Sequence, residues 1–168
     1  MVANMTRNKQ PTPDSPHPPY LRQSRRYSCG PACAWMMFRA LGLCAAERRL
    51  IRVLGAARRR GTWPEDWAKL AATFPVEVVT GHDATLRRLE ARRRAGWQQT
   101  LLVTADVPHY VLYLGRDGDT ILVHDPWEGP VQRISRRKFL ERWRVDDIWS
   151  SRRIFESRRW AVAIRRSL

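Results

Sequence analysis

Apolar side chains fall at helical spacing through the first half of the chain and in short alternating runs through the second. After Gly30, the positions Ala34, Met37, Phe38 and Leu41 recur every three or four residues. That spacing predicts an apolar, buried helix with Pro31 in its first turn, where a missing N–H costs nothing, and Gly42 as its stop. Further helices are expected across Ala45–Leu54, across Trp63–Ala72 with Pro64, Glu65 and Asp66 in the first turn, and across Ala84–Ala95 before Gly96. A Gly/Arg-rich loop at 55–62 separates the first two of these, and Val76–Val79 is a short strand candidate. The period then changes. Thr100–Thr104, His109–Leu114, Thr120–His124 and Trp160–Ile164 are short β-rich runs bounded by turn residues, with RDGDT at 116–120 as a hairpin signal. Ser135–Trp143 returns to helix on the side of Phe139, Leu140 and Trp143. Helices first and an antiparallel sheet after them read as α+β.

Residues 1–20 hold five prolines and almost no large apolar side chains, so an extended, disordered tail is expected there, with a single folded domain over 21–168. A chain of 168 residues buries a sufficient core without disulfides, and Cys29, Cys33 and Cys44 are too few and too clustered for a disulfide framework. The N-terminus lacks the apolar stretch of a signal peptide, and no apolar run approaches the roughly 18 residues of a membrane span. A reducing cytosol is the expected location, with leaderless export left open. The charge alters this ordinary picture: 31 basic against 16 acidic residues give +15, and all but Lys9, Lys69 and Lys138 of the basic ones are arginine. Such a balance points to an anionic partner, met by an arginine-rich surface. The runs Arg58–Arg60, Arg92–Arg94, Arg136–Arg137 and Arg152–Arg153 otherwise read as solvated faces without the interleaved aromatics of a base-stacking surface.

Two segments carry chemistry. In QSRRYSCGPAC, Cys29 stands at the start of the apolar helix and Gln23 six residues before it. A cysteine attacks as thiolate, and a helix N-terminus favours that negative charge. A side-chain amide such as that of Gln23, with the backbone N–H of the nucleophile, can hold the oxyanion of a tetrahedral intermediate. Gly30 lets the chain pass close beside the reacting centre without a Cβ in the way. In VPHYVLYLGRDGDTILVHDPWEG, His109 starts one strand and Asp125 ends the next. A tight turn brings the two open ends together, so a carboxylate can orient the imidazole and favour its protonated form.

Together these residues resemble the bacteriocin-processing, double-glycine-leader branch of the papain-like cysteine peptidases. Gln23, then Cys-Gly-Pro-Ala-Cys on a helix, then His-Tyr-Val followed by apolar residues and Gly, then Asp-Pro-x-x-Gly stand in that family's order. ISRRKFLERW at 134–143 is similar to its closing helix and Trp160–Ile164 to the last strand of stand-alone relatives; residues 55–98 match poorly. The resemblance implies a papain-like fold, a helical part packed on a twisted antiparallel sheet. It also implies a cysteine peptidase with Cys29 as nucleophile, His109 as base, Asp125 as orienter and Gln23 in the oxyanion hole. No cofactor is implied. The implied partner is a peptide or protein substrate with small residues before the scissile bond, such as a Gly-Gly leader; a toxin or effector protease fits a lone domain equally. Better-known members often carry Asp before the cysteine, where this chain has Ser28, and are followed by a peptide-exporting transporter, which does not follow here. The oligomeric state is left open.

Competing readings are specific. A non-enzymatic basic protein, binding nucleic acid or a ribosome on a peptidase scaffold, is the rival function. A metal site of Cys29, Cys33 and His109 lacks a fourth ligand. Cys33 reads as core, and His124 should point away from Asp125 as a surface or packing residue. Trp127 is placed to wall the cleft. Asp106 is a rival to Asp125. Asp106 lies in the same connecting segment as His109 and cannot easily reach around to it. For Asp125 parity sets the condition, because residues facing across an antiparallel pair have numbers of constant sum. For His109 and Asp125 to share a face the constant must be even, through a three-residue loop at Asp117–Asp119 or through a β-bulge between turn and site. A regular two-residue turn without a bulge would point Asp125 to the far face.

Overall fold

The computed structural model describes residues 17–104, 106–149 and 154–167; most of the expected tail and Arg152–Arg153 lie outside them. Helix α1 (Cys29–Ala40) is followed by α2 (Glu47–Val53), a 3-10 turn at Pro64–Ala68 that runs into α3 (Lys69–Thr73), and strand β1 (Val76–Gly81). Helix α4 (Leu86–Arg94) precedes β2 (Gln98–Thr104), β3 (Pro108–Asp117), β4 (Thr120–Asp125) and β5 (Gly129–Ser135). Helix α5 (Arg136–Arg142), strands β6 (Arg144–Trp149), β7 (Ile154–Arg158) and β8 (Ala161–Arg166) complete the described chain. The main sheet is antiparallel in the order β1-β8-β2-β3-β4-β5, and β6 pairs with β7 in a separate ribbon.

Alternation along the strands explains the two-sided core. Leu102, Tyr110, Leu112 and Val162 face α1–α3, where they pack with Met37, Phe38, Leu50 and Leu70. Their sequence neighbours Leu101, Val103, Val111 and Ala161 face the opposite way and pack with Leu89 of α4 and Phe139 of α5. Strands covered on both faces read as continuous apolar runs, which is the pattern at 100–104 and 109–114. The expected α+β architecture is the observed one, a helical part against an antiparallel sheet.

Three strands carried no clear signal. β5 contains Pro130, Gln132 and Arg133, yet Pro is tolerated on an edge strand such as this one, where one side of the backbone has no partner. β6 and β7 form a ribbon off the main sheet, where a core-facing pattern is not required. Thr85 and Ser135 cap α4 and α5, each accepting a hydrogen bond from the backbone N–H three residues on (Arg88, 3.2 Å; Lys138, 3.4 Å). Among the described residues no helix is long and apolar enough to cross a membrane.

Candidate active site

Cys29 opens α1, the helix whose first nine residues are almost all buried, and is itself only 8% exposed. Cys33, one turn on, is fully buried, with its Sγ against the carbonyl oxygen of Tyr110 at 3.5 Å. Burial pushes its pKa well above that of an ordinary thiol, so it stays protonated and inert, as a core residue should. The entry into α1 is held from two sides. The Ser28 hydroxyl donates to Glu47 Oε1 at 2.8 Å while its oxygen accepts the Arg25 N–H at 3.1 Å; Glu47 Oε1 also accepts the Ser24 N–H at 3.1 Å. Glu47 belongs to α2, and nothing local in the sequence announces this bond.

Gly30 packs against the loop at 55–62. A Cβ there would lie 2.8 Å from Thr62 Oγ1 and 2.9 Å from Thr62 Cβ, so the close neighbour that demands glycine is Thr62. Asp66 fixes that loop through Arg60 and Lys69, both at 2.6 Å, and through the Trp63 N–H at 3.1 Å. Gly→Ala inside a helix ordinarily gains up to about 1 kcal/mol. Gly30→Ala is expected instead to cost about 1–3 kcal/mol, the range of an overpacked core, read as a lower urea midpoint. Thr62→Gly in the same chain should restore it.

The register of β3 and β4 resolves the parity condition. Asp117 faces Thr120 across a two-residue Gly118-Asp119 turn, which alone would put Asp125 on the wrong face. The register shifts between Tyr113 and Gly115, so that Leu112 faces His124 and Tyr113 faces Val123. Leu114 is the extra residue of this bulge, and Gly115 beside it has φ +133°, a conformation open to glycine. Past the bulge, Asp125 shares a face with Val111 and His109.

His109 Nε2 meets Asp125 Oδ1 at 2.8 Å. Oδ1 also accepts the N–H groups of Trp127 (2.8 Å) and Glu128 (3.1 Å), a turn that an aspartate stabilises locally. Burial works against charge on both groups. It is overcome on Asp125 by His109 and the two backbone donors, which leave its pKa below the usual carboxylate value. On His109 the bond to Asp125, and then the hydrogen bond and charge of Cys29, raise the pKa to about 10. The ring therefore lies between the thiol and the carboxylate. Val103, Val111, Ile134 and Phe139 line the narrow cavity behind His109 and Asp125, a largely apolar wall. Asp106 is exposed, and the carboxylate that meets the ring is Asp125.

Gln23 is buried on the loop leading to Cys29, and its backbone N–H donates to the Pro126 carbonyl at 3.0 Å, which ties this loop to the turn after Asp125. One of its two amide N–H groups goes to the Arg25 carbonyl at 2.8 Å, and Oε1 has no protein partner. Trp127 is 44% exposed with the Arg22 guanidinium 5.9 Å over its ring, at the mouth of the same site.

His124 is buried on the other face of β4, as alternation requires. Val131 N–H donates to Nδ1 at 3.0 Å, so the proton sits on Nε2 and is donated to the Pro18 carbonyl at 2.9 Å. Burial lowers its pKa further. Tyr20 adds a bond from its hydroxyl to the Asp125 carbonyl at 3.1 Å, and His17 and Tyr20 both set their rings edge-on to His124. Residues 17–20 thus lie along the β3–β4 hairpin that carries His109 and Asp125, ahead of the Leu21 where folded structure was expected to begin.

The Peptidase C39 family matches residues 17–148. No curated protein matches the sequence. Among solved structures, the peptidase domain of Streptococcus ComA, a bifunctional ABC transporter of a quorum-sensing pathway, is similar with TM-score 0.69 and 17% identity, over 88% of this chain and 97% of that one. A double-glycine-motif protease from an AMS/PCAT transporter, in complex with its leader peptide, is similar with TM-score 0.69 and 15% identity, over 94% of this chain and 99% of that one.

Proposed function

The chain belongs to the Peptidase C39 family and is a cysteine-type peptidase, and from that premise we propose that Cys29 is its nucleophile, His109 its base and Asp125 the group that orients the base. The observation that carries this reading is the His109 ring bonded through Nε2 to Asp125 Oδ1 at 2.8 Å, with Cys29 close enough to help raise its pKa to about 10. At neutral pH such a ring carries both protons, and it faces the Cys29 sulfur, which reacts as thiolate. The thiolate attacks the scissile carbonyl carbon, forming a C–S bond while the carbonyl electrons move to oxygen. The second N–H of Gln23 and the backbone N–H of Cys29 hold that oxyanion. The imidazolium then gives its proton to the departing amine, leaving a thioester. His109, now neutral, takes a proton from water as the water attacks the thioester; hydrolysis restores the thiolate–imidazolium pair.

The proposed substrate is a peptide with small residues, such as Gly-Gly, before the scissile bond. Support comes from the solved relative named for a double-glycine motif and crystallised with a leader peptide.

Iodoacetamide at pH 6 tests the nucleophile, because an ordinary thiol with pKa near 8.5 is under about 1% ionised there. Cys29 should be alkylated at pH 6 nearly as fast as at pH 8; labelling that rises in proportion to hydroxide would remove it from the role. Gln23→Ala should lower kcat by about 10²–10³ with KM little changed, as loss of one oxyanion donor does. An unchanged kcat would mean that the amide serves only to hold Arg25.

A further inference from the structure

A second cavity, of about 550 Å³, lies on the far side of α5 from the His109–Asp125 pair. Among the described residues, Arg137, Arg144, Arg158 and Arg159 line it together with Leu140 and the carboxylates of Asp83 and Glu141. The placement follows from helical spacing. Arg137, Leu140 and Glu141 form the i, i+3, i+4 stripe that faces this cavity, whereas Phe139 and Arg142 face the narrow cavity behind His109 and Asp125. One helix, about 10 Å across, therefore separates the two.

Its rim is built from unusual backbone. Asp83 and Arg159 have φ +52° and +49°, in the left-handed region that non-glycine residues rarely occupy. The Asp83 N–H donates to the Arg158 carbonyl (2.9 Å), the Ala84 N–H to the Arg159 carbonyl (3.2 Å), and the Arg159 N–H to the Trp143 carbonyl (3.2 Å). These bonds lock the two left-handed residues together. Strain held in this way is commonest where side chains must be presented in a set direction. Arg137 is partly engaged by Glu141 at 3.0 Å, yet its side chain remains 85% exposed.

We propose that this cavity is an exosite, a second binding site for the peptide substrate that takes an acidic stretch of it on the arginines. The proposal rests on the peptidase reading and adds the chemical class of the substrate outside the scissile bond. Charge selects an anionic ligand. The mixture in the lining selects peptide over a phosphate backbone: Leu140 offers apolar contact, and Asp83 and Glu141 would repel a continuous row of phosphates while accepting N–H groups from a peptide. An extended chain advances about 3.3 Å per residue, so the acidic stretch lies several residues from the scissile bond.

Binding is measured by fluorescence anisotropy on the full chain carrying Cys29→Ala, so that the result does not depend on turnover. The probe is a fluorescein-labelled peptide of alternating Glu and Ser, with a Lys/Ser peptide and an oligodeoxynucleotide of the same length as comparisons. The Glu/Ser peptide should bind, and Arg137→Glu with Arg144→Glu should weaken it by about tenfold or more at low salt. Reversal at Arg58 and Arg59, exposed in the loop at 55–62, should change it by about twofold at most. The milder pair Arg137→Gln with Arg144→Gln, checked for an unchanged melting temperature, should give an intermediate loss. In the active enzyme an acidic extension on a cleavable peptide should lower KM and leave kcat unchanged. Equal losses from the two Arg→Glu pairs, or no binding of the Glu/Ser peptide, would overturn the exosite while leaving the peptidase reading intact. Tighter binding of the oligonucleotide, lost with the same two arginines, would overturn the peptide as occupant.

Discussion

Cys29→Ala is expected to remove about 10⁶ of the turnover rate and to leave the fold in place, the scale on which loss of a triad nucleophile is felt. The size follows from the bond that no other group can form. Cys33 is the nearest thiol on the same helical face, but it is fully buried against Tyr110 and held protonated. Alanine fits the site because the thiol is small and α1 is packed mainly by Met36, Met37 and Phe38. A variant that retained turnover within tenfold of the parent would remove Cys29 from the mechanism. A second readout separates chemistry from structure. Burial lowers the His109 pKa, and Asp125 and then Cys29 raise it to about 10. Without the sulfur the pKa should fall while remaining supported by Asp125, which an NMR titration of the ring can follow. The sign for stability follows from linkage. With a folded pKa above the unfolded value of 6.5, the contribution of His109 is complete below about pH 6.5 and is lost as pH rises through about 10. In Cys29→Ala that loss should be complete at a lower pH.

Much of the arrangement was legible because it is written in local patterns. The helical spacing after Gly30 places Cys29 at a buried N-terminus, and strand alternation separates Asp125 from His124. Asp-Pro at 125–126 marks a strand end, and the carboxylate holds its own turn through Trp127 and Glu128. Parity demanded either an odd loop or a bulge, and the chain uses a bulge at Leu114 with a two-residue turn. Its position was not readable, because Leu114 looks like any other buried strand residue and only Gly115 hints at a break. The contacts that steady the site were not readable at all. Glu47 reaches Ser28, Thr62 presses on Gly30, and Tyr20 reaches Asp125 across 105 residues of sequence. Each joins segments whose own sequences specify only local structure, so their meeting is decided by tertiary packing.

Asp125→Ala should lower kcat by about 10⁴, whereas Asp125→Asn should cost only about tenfold to a hundredfold. In serine triads the aspartate-to-asparagine change is severe because the amide can present its NH2 to the ring and enforce the wrong tautomer. Here one oxygen does three jobs: Asp125 Oδ1 accepts the Trp127 N–H at 2.8 Å, the Glu128 N–H at 3.1 Å and the His109 Nε2 proton at 2.8 Å. An asparagine at this position would keep its carbonyl oxygen there, because turning the amide would set NH2 against two backbone donors. The tautomer would survive and only the negative charge would be lost. The His109 pKa should therefore drop in Asp125→Asn, and the alkaline limb of the kcat/KM profile should move to lower pH. Alanine loses the charge, the acceptor and the turn together, and should also lower the melting temperature as the Asp-Pro-Trp-Glu-Gly turn loosens. The comparison is read from pH profiles and melting curves of both variants. If Asn and Ala were equally inactive, the oxygen would not be locked by Trp127 and Glu128, and charge or tautomer control would have to come from elsewhere. If both retained full activity, Asp125 would orient the turn alone and not the base.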